Sequence, residues 1–254
     1  GALSPKIALD YNFNPTQMGY LSYNRGFRTG GLSPLSSDPS QPALKRFKPE
    51  YSNNYEIGLK NNLFNNHARL NIAIFYTQLT DAQVPSLVLP DAVTITKNVG
   101  KMNSKGFDLE FTAQASTNLS IEYNFGYTNA EFTSLLLAQN GTELNLKGNK
   151  QLFTPDITSS LAAQYDIHFT PQLKGFIRGE WKYIGTTYFD LSNTIKQKPY
   201  NLINTSFGLQ YGNFQLQGWS RNLGNEKYIA YAYDFGAVHL GDPATYGTTL
   251  SIQF

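Results

Sequence analysis

The side chains able to do chemistry are few and scattered. Histidine occurs three times, at 67, 168 and 239, and cysteine is absent. Without cysteine there is no disulfide framework, no thiolate metal site and no Cys nucleophile. The histidines are too far apart in sequence to form a two-His metal motif. His67 and His168 sit beside short turns, and His239 sits in a long loop. No glycine-rich phosphate loop is present. No catalytic group, resident metal or cofactor is therefore expected. What recurs is charge at alternate positions, as in Glu56 and Lys60, Arg69, Asp108 and Glu110, Arg178 and Glu180, and Arg221. Residues two apart share one side of an extended chain. Such a row reads either as a solvated wall or as a docking surface of charge-assisted hydrogen bonds. A second group is aromatic and lies between the strands: Tyr188, Phe189, Tyr231, Tyr233 and Phe235, with His239 and Arg28 as polar companions. Aromatics offer stacking area with a polar tip, and cations attract an anionic ligand. The plainer alternative is that these rings spill over from a membrane-interface belt.

The elements that must position these residues are strands. Ile7, Leu9, Tyr11 and Phe13 alternate with polar residues, as do Tyr55, Ile57 and Leu59, then Leu70, Ile72, Ile74 and Tyr76. The pattern continues through Phe107, Leu109 and Phe111, then through the odd positions from Leu119 to Tyr127. It recurs over 157–167, 173–184, 203–211 and 246–254. Period-2 alternation is the strand signal, and no stretch carries a helical period. Residues 213–222 lose the pattern at Gly218-Trp219, where a bulge is expected. With a strand near 18–28, about eleven strands are expected. Their connections alternate short and long. Asn14-Pro15-Thr16, Asn65-Asn66-His67, 115–118, 170–172 and Gly212-Asn213 are turns. The segments 29–50, 82–97, 132–153, 188–199 and 224–244 are long loops.

Composition narrows the class. The chain has 254 residues, 41% hydrophobic, 15% charged and 14% aromatic. That many aromatics with so few charges excludes disorder. A net charge of +2 without a basic run argues against a nucleic-acid partner. There is no apolar run long enough for a transmembrane helix. The mean hydropathy of −0.36 would suit a soluble protein, but a transmembrane β-barrel also has polar lumen residues. A soluble β-sandwich would alternate too, with shorter strands. Here the alternating runs reach the length that crosses a bilayer when tilted, and one face is apolar with Tyr, Phe and Trp at the strand ends. Short turns at one end and long loops at the other fit an all-β, antiparallel, up-and-down outer-membrane barrel.

Four segments then resemble the TonB-dependent outer-membrane receptors: Tyr20–Gly31, Phe47–Lys60, Asn98–Glu110 and Ser220–Tyr228. In the last strand, Tyr246, Leu250, Ile252 and the terminal Phe254 resemble the outer-membrane assembly signal, which the barrel assembly machinery would take up by strand addition. The resemblance covers almost the whole chain. It implies a 22-stranded barrel, of which the eleven or twelve strands here would be the C-terminal half. Nothing in the chain resembles the plug domain or the TonB-coupling box. The resemblance further implies a receptor that faces outer-membrane lipid, binds a scarce solute such as a ferric siderophore, and draws on the TonB complex through a missing N-terminal region. The lumen residues Glu56, Lys60, Arg69, Asp108, Glu110, Arg178, Glu180 and Arg221 would then contact the plug. Arg28, Tyr188, Phe189, Tyr231, Tyr233, Phe235 and His239 would contact the ligand. Three other readings stay open: a small passive porin-like barrel that closes with twelve strands, a non-functional receptor fragment, and an outer-membrane hydrolase, for which only His239 lies near a rim.

Overall fold

The structure, a computed structural model, describes residues 2–33, 45–88, 93–98, 100–139, 142–233 and 236–253. Among these residues it is all strand and loop. The chain opens with the hairpin β1 (Lys6–Asn14) and β2 (Gln17–Arg28), beyond which the short β3 (Gly31–Ser33) and β4 (Lys45–Phe47) pair. β5 (Glu50–Leu63) and β6 (Ala68–Thr80) follow, then a loop hairpin of β7 (Gln83–Val88) and β8 (Val93–Asn98). β9 (Gly100–Gln114) and β10 (Leu119–Gln139) come next, with β11 (Thr142–Asn145) folded back on β10. β12 (Ile157–His168) and β13 (Leu173–Ile184) precede a two-residue ladder of β14 (Thr187–Tyr188) and β15 (Lys196–Gln197). β16 (Tyr200–Tyr211), β17 (Phe214–Arg221), the loop hairpin β18 (Ile229–Ala232) and β19 (Val238–Leu240), and β20 (Thr245–Ile252) complete it.

The long strands form one antiparallel sheet in the order β1-β2-β5-β6-β9-β10-β12-β13-β16-β17-β20, with β11 attached to β10. Every neighbour in that order is also the next long strand in sequence, which is up-and-down topology. The eleven expected strands are therefore present, and the twelfth is a loop strand. β1 and β20 do not pair with each other among the described residues, as expected of part of a larger barrel and unlike the alternative of a twelve-strand barrel that closes on itself.

Because side chains alternate along each strand, the register builds two continuous faces. Leu9, Leu21, Ile57, Ile74, Phe107 and Tyr127 form one cross-strand row on the outer, apolar face. Leu119, Tyr165, Ile177 and Phe207 form another. These side chains have no packing partner above them: Ile74, Ile177 and Phe207 are 57%, 58% and 63% exposed. An exposed apolar face this extensive belongs against another apolar medium. Asp10, Tyr20, Gly58, Ala73 and Asp108 share a row on the opposite, polar face.

Three departures from the alternation reading are informative. First, aromatics are not confined to the apolar face. Tyr20, Phe75, Phe176 and Trp219 point inward, and each lies across a glycine of the neighbouring strand. A Cβ on Gly58, Gly106, Gly208 or Gly247 would stand 2.3–2.7 Å from those rings. Covering a strand glycine with a neighbouring ring protects the bare backbone there. Second, no bulge occurs at Gly218-Trp219. The ladder runs unbroken from Phe214 to Ser220 against β16 and from Phe214 to Arg221 against β20, and the pattern fails only because Gly218 faces out and Trp219 faces in. Third, β10 runs through residues expected to be loop. Its register shifts between Phe132 and Ser134, so Phe132 and Leu135, three residues apart, both enter the buried cluster with Ala82 and Met102. This core lies at the long-loop end of the sheet, on the polar side.

Candidate functional site: the inner wall and the mouth

All eight charged residues assigned to the lumen by alternation do lie on the polar face, by the register of their strands. The wall's charges are unevenly distributed: β5 and β9 carry Glu56, Asp108 and Glu110 with Lys60 also on β5. Glu56 accepts a hydrogen bond from the Tyr20 hydroxyl at 2.7 Å, and Glu110 accepts one from Asn71 Nδ2 at 3.1 Å. Asp108 stands between them in height. Among the described residues, no ion pair reaches any of these three carboxylates. Lys60 instead lies 5.6 Å over the Tyr20 ring, and Arg69 donates to Asn62 at 3.3 Å.

The wall formed by β13, β16 and β17 is richer in cations, and its charges are internally matched. Arg178 pairs with Glu122 at 3.1 Å, and Glu180 takes Lys182 at 3.4 Å and Asn204 Nδ2 at 2.7 Å. Arg221 stacks 5.1 Å over the Trp219 ring. Arg178, Glu180, Lys182, Asn204, Trp219 and Arg221 line a polar recess of about 680 Å³ in the inner wall. Trp219 was not singled out from sequence, since an isolated Trp beside a glycine carries no signal of which way it faces.

The mouth is built from loops fastened by side-chain amides, of which Gln83 and Asn222 are buried. Gln83 Nε2 donates to the carbonyls of Thr29 and Lys48, both at 2.9 Å, and the Gln83 backbone N–H donates to Glu50 at 2.6 Å. Asn98 Nδ2 donates to the Lys48 and Asp81 carbonyls. These bonds join the first two long loops. Asn193 joins the third and fourth by accepting from the Lys150 N–H and donating to the Lys150 carbonyl. The fifth loop depends on Asn222, which is 5% exposed and has φ of 48°. Its amide donates to the carbonyls of Glu226 and Asp242, both at 2.9 Å, and accepts the Glu226 N–H at 2.8 Å. Asn tolerates this left-handed conformation better than most residues, which explains why an Arg-Asn-Leu segment stands here.

These fastenings bring the aromatic candidates together. Tyr231 stacks on Phe153 at 4.9 Å and 14°, Phe153 meets Phe189 at 5.7 Å, and Tyr231 meets Tyr233 at 4.6 Å. His239 is opposite Tyr231 in the β18–β19 ladder and is exposed. Tyr188 lies apart from the stack, with Lys196 at 5.9 Å over its ring. Arg28 is exposed at the top of β2, opposite Glu50. Phe189 is a support rather than a contact surface, being only 6% exposed, whereas Tyr231 and Tyr233 are open. Phe153, missed from sequence, is 47% exposed and held at φ of 57°. A non-glycine residue there is uncommon, and its N–H is tied to the Tyr188 carbonyl at 2.9 Å. Phe235 lies outside the described residues, as does Phe254. Tyr246, Leu250 and Ile252 share the outer face of β20.

The comparisons with known proteins agree with this geometry. The family model for the TonB dependent receptor-like β-barrel matches residues 1–223. The chain is 27% identical over 258 residues to the ferrioxamine receptor of Yersinia enterocolitica, covering 99% of this chain and 33% of that protein. It is 27% identical over 233 residues to a probable TonB-dependent siderophore receptor of Acinetobacter baumannii, with 87% and 30% covered. Among solved structures, the ferric yersiniabactin uptake receptor of Yersinia pestis superposes with a TM-score of 0.82 at 23% identity, over 98% of this chain and 37% of that one. The chain thus spans about a third of the length of the relatives it matches. Its eleven-strand sheet has a polar inner and an apolar outer face, and the family model matches most of its length: the chain belongs to the TonB-dependent receptor β-barrel family of the bacterial outer membrane.

Proposed function

We propose that this chain is the C-terminal portion of a larger receptor barrel that binds a scarce, ring-bearing, anionic solute of the ferric siderophore class and imports it with energy delivered through TonB. The observation that carries this reading is the exposed stack of Phe153, Tyr231 and Tyr233 where the third and fifth long loops meet. Planar rings offered at a mouth suit ligands with aromatic or planar chelating groups, and Lys196, over the Tyr188 ring beside Phe153, supplies positive charge there. Relatives named for ferrioxamine and other siderophores support the same class. Removing a central ring from a contact surface typically weakens binding by 2 kcal/mol or more, roughly thirtyfold. Tyr231→Ala in the receptor containing this chain is thus expected to raise the Kd for its preferred ferric siderophore by about that factor. Calorimetry with a panel of ferric hydroxamates, catecholates and phenolates checks this. Unchanged affinity across the panel overturns the reading.

The uneven charge of the inner wall supports a second element of the proposal. Glu56, Asp108 and Glu110 are read as acceptors for cationic side chains of a plug, while the matched charges near Arg178 and Arg221 line the remaining wall. Charge-assisted bonds are strong in place yet can be broken and remade. Glu56→Gln, Asp108→Asn and Glu110→Gln combined are expected to loosen the plug and raise passive entry of large antibiotics severalfold, measured as sensitivity of cells expressing the intact receptor. Unaltered permeability rejects the docking role. The outward Tyr246, Leu250 and Ile252 on β20 support reading this strand as the assembly signal.

A further inference from the structure

The fifth long loop is held at its side and at its root, and the two holds differ in what they reach. At its side, Tyr228 stacks on Tyr200 at 4.4 Å and 14°, and the Ile229 N–H donates to Gln197 Oε1 at 2.8 Å. These contacts run to the fourth loop and the start of β16. At the root stands Asn222. The ladder between β16 and β17 stops at the pair Thr205 and Ser220. Two residues on, the Asn222 N–H donates to a side chain, Asn204 Oδ1, at 3.0 Å. Asn204 Nδ2 donates in turn to Glu180 Oε2 at 2.7 Å, and the other Glu180 oxygen is 3.4 Å from Lys182 Nζ. Among the described residues, the side-chain hydrogen bonds from this loop into the inner wall pass through Asn204.

Glu180 and Asn204 are cross-strand partners on the polar face. One amide therefore accepts from the root of the loop and donates to a carboxylate of the wall. An aspartate at 204 could accept but not donate, and a leucine could do neither. The bond to the carboxylate is charge-assisted and so the stronger of the two. Glu180 thus sets the amide plane of Asn204, and with it the oxygen presented to Asn222. Asn222 in turn holds the Glu226 and Asp242 carbonyls, and so the loop that carries Tyr231 and Tyr233. The residue before it is fixed separately: Arg221 lies over Trp219, which rests on Gly247. The Asn204–Glu180 bond is then the adjustable part. Glu180 already shares its charge with Lys182, and a further cation in the lumen would draw the carboxylate from the wall and lengthen that bond.

We propose that Asn204 is a positioning residue that couples the loop 222–244 to the plug-facing wall, so that the charge Glu180 meets in the lumen sets how firmly the ligand-carrying loop is held. Coupling of this kind is reciprocal: a ligand that needs the loop fastened keeps Glu180 on Asn204 and away from a cation of the plug. The inference rests on the reading of the loop as ligand-carrying and of Glu180 as plug-facing. The test uses the intact receptor containing this chain in detergent micelles, with hydrogen exchange of segment 222–244 read by mass spectrometry. Asn204→Asp keeps the acceptor for Asn222 but sets a carboxylate against Glu180. It is expected to speed exchange in the loop at least about fivefold. Adding Glu180→Gln lets Gln donate to Asp, which restores the link in the reverse sense, and exchange is expected to return to within about twofold of wild type. Rescue of this kind does not follow from a merely structural role. Lys174→Gln, at the turn end of the wall, is the control and is expected to exchange like wild type. Wild-type exchange in Asn204→Asp, or a double variant as fast as the single, overturns the proposal. The ferric siderophore that the wild type binds most tightly in the panel above then gives a second readout, and its Kd is expected to rise in Asn204→Asp and recover in the double variant. Rescued exchange with equal Kd in all three proteins overturns the coupling to ligand. The exchange arm needs no ligand, so it decides the link separately from the reading of the mouth, which Tyr231→Ala decides. If Asn204→Asp does not assemble, as judged by heat-modifiable gel migration, Glu180→Ala decides: exchange about threefold faster is expected, and unchanged exchange overturns the proposal.

Discussion

Replacing Gly100 with alanine is expected to destabilise the barrel by about 3 kcal/mol or more and to leave much of the protein unassembled. Gly100 opens β9 at φ of 137°, where L side chains are rarely found, and a Cβ there would lie 1.7 Å from the Ser134 carbonyl oxygen. Two costs therefore combine: backbone strain of about 1–3 kcal/mol and displacement of packed backbone at about 1–3 kcal/mol. The displaced carbonyl belongs to the register shift in β10 that turns both Phe132 and Leu135 into the buried cluster. Gly148→Ala provides the contrast. It also has positive φ, 91°, but nothing lies within 4 Å of a new Cβ. Only the strain remains, so a loss of about 1 kcal/mol is expected. Urea-induced unfolding of refolded barrel and the fraction of heat-modifiable protein measure both. Equal losses at the two positions would mean that the contact with Ser134 is not what restricts Gly100.

Replacing Asn222 with aspartate is expected to cost about 2–4 kcal/mol and to release the loop 222–244. Aspartate has the same shape and tolerates the same φ, so neither volume nor backbone strain changes much. What changes is hydrogen-bond sense. The bond from the Glu226 N–H survives, but the Glu226 and Asp242 carbonyls lose their donor, and a carboxylate is set against both. Leaving a buried acceptor unpaired costs about 1–3 kcal/mol each. The loop carries Tyr231 and Tyr233, so their stacking on Phe153 should be lost with it. Limited proteolysis should cut within 222–244 in the variant and not in the wild type. Ligand affinity should fall by at least about tenfold while the barrel remains folded. A variant with a protected loop and normal affinity would show that Asn222 is dispensable.

The sequence carried the period, and the period carried most of the fold. Alternation at Leu119 to Tyr127 or Leu173 to Tyr183 names two faces without reference to any other strand, because side chains on an extended chain alternate for local steric reasons. Turn residues such as Gly212-Asn213 then mark which ends are short. Together they were enough for strand number, topology and the inner position of Glu56, Asp108, Glu110 and Arg178. Local pattern could not say what stands opposite a given residue. Trp219 covers Gly247, and Phe75 covers Gly106, because of register with neighbouring strands. Phe153 and Tyr231 stack across 78 residues of sequence, held by Asn193 and Asn222 in left-handed turns that no periodicity announces. The sequence by itself determined a two-faced antiparallel sheet with short turns at one end and long loops at the other. Only the tertiary structure decided which aromatics stack where the loops meet and which charges of the wall find a partner. Those features arise from pairings between distant segments, and their geometry exists only once the strands are in register.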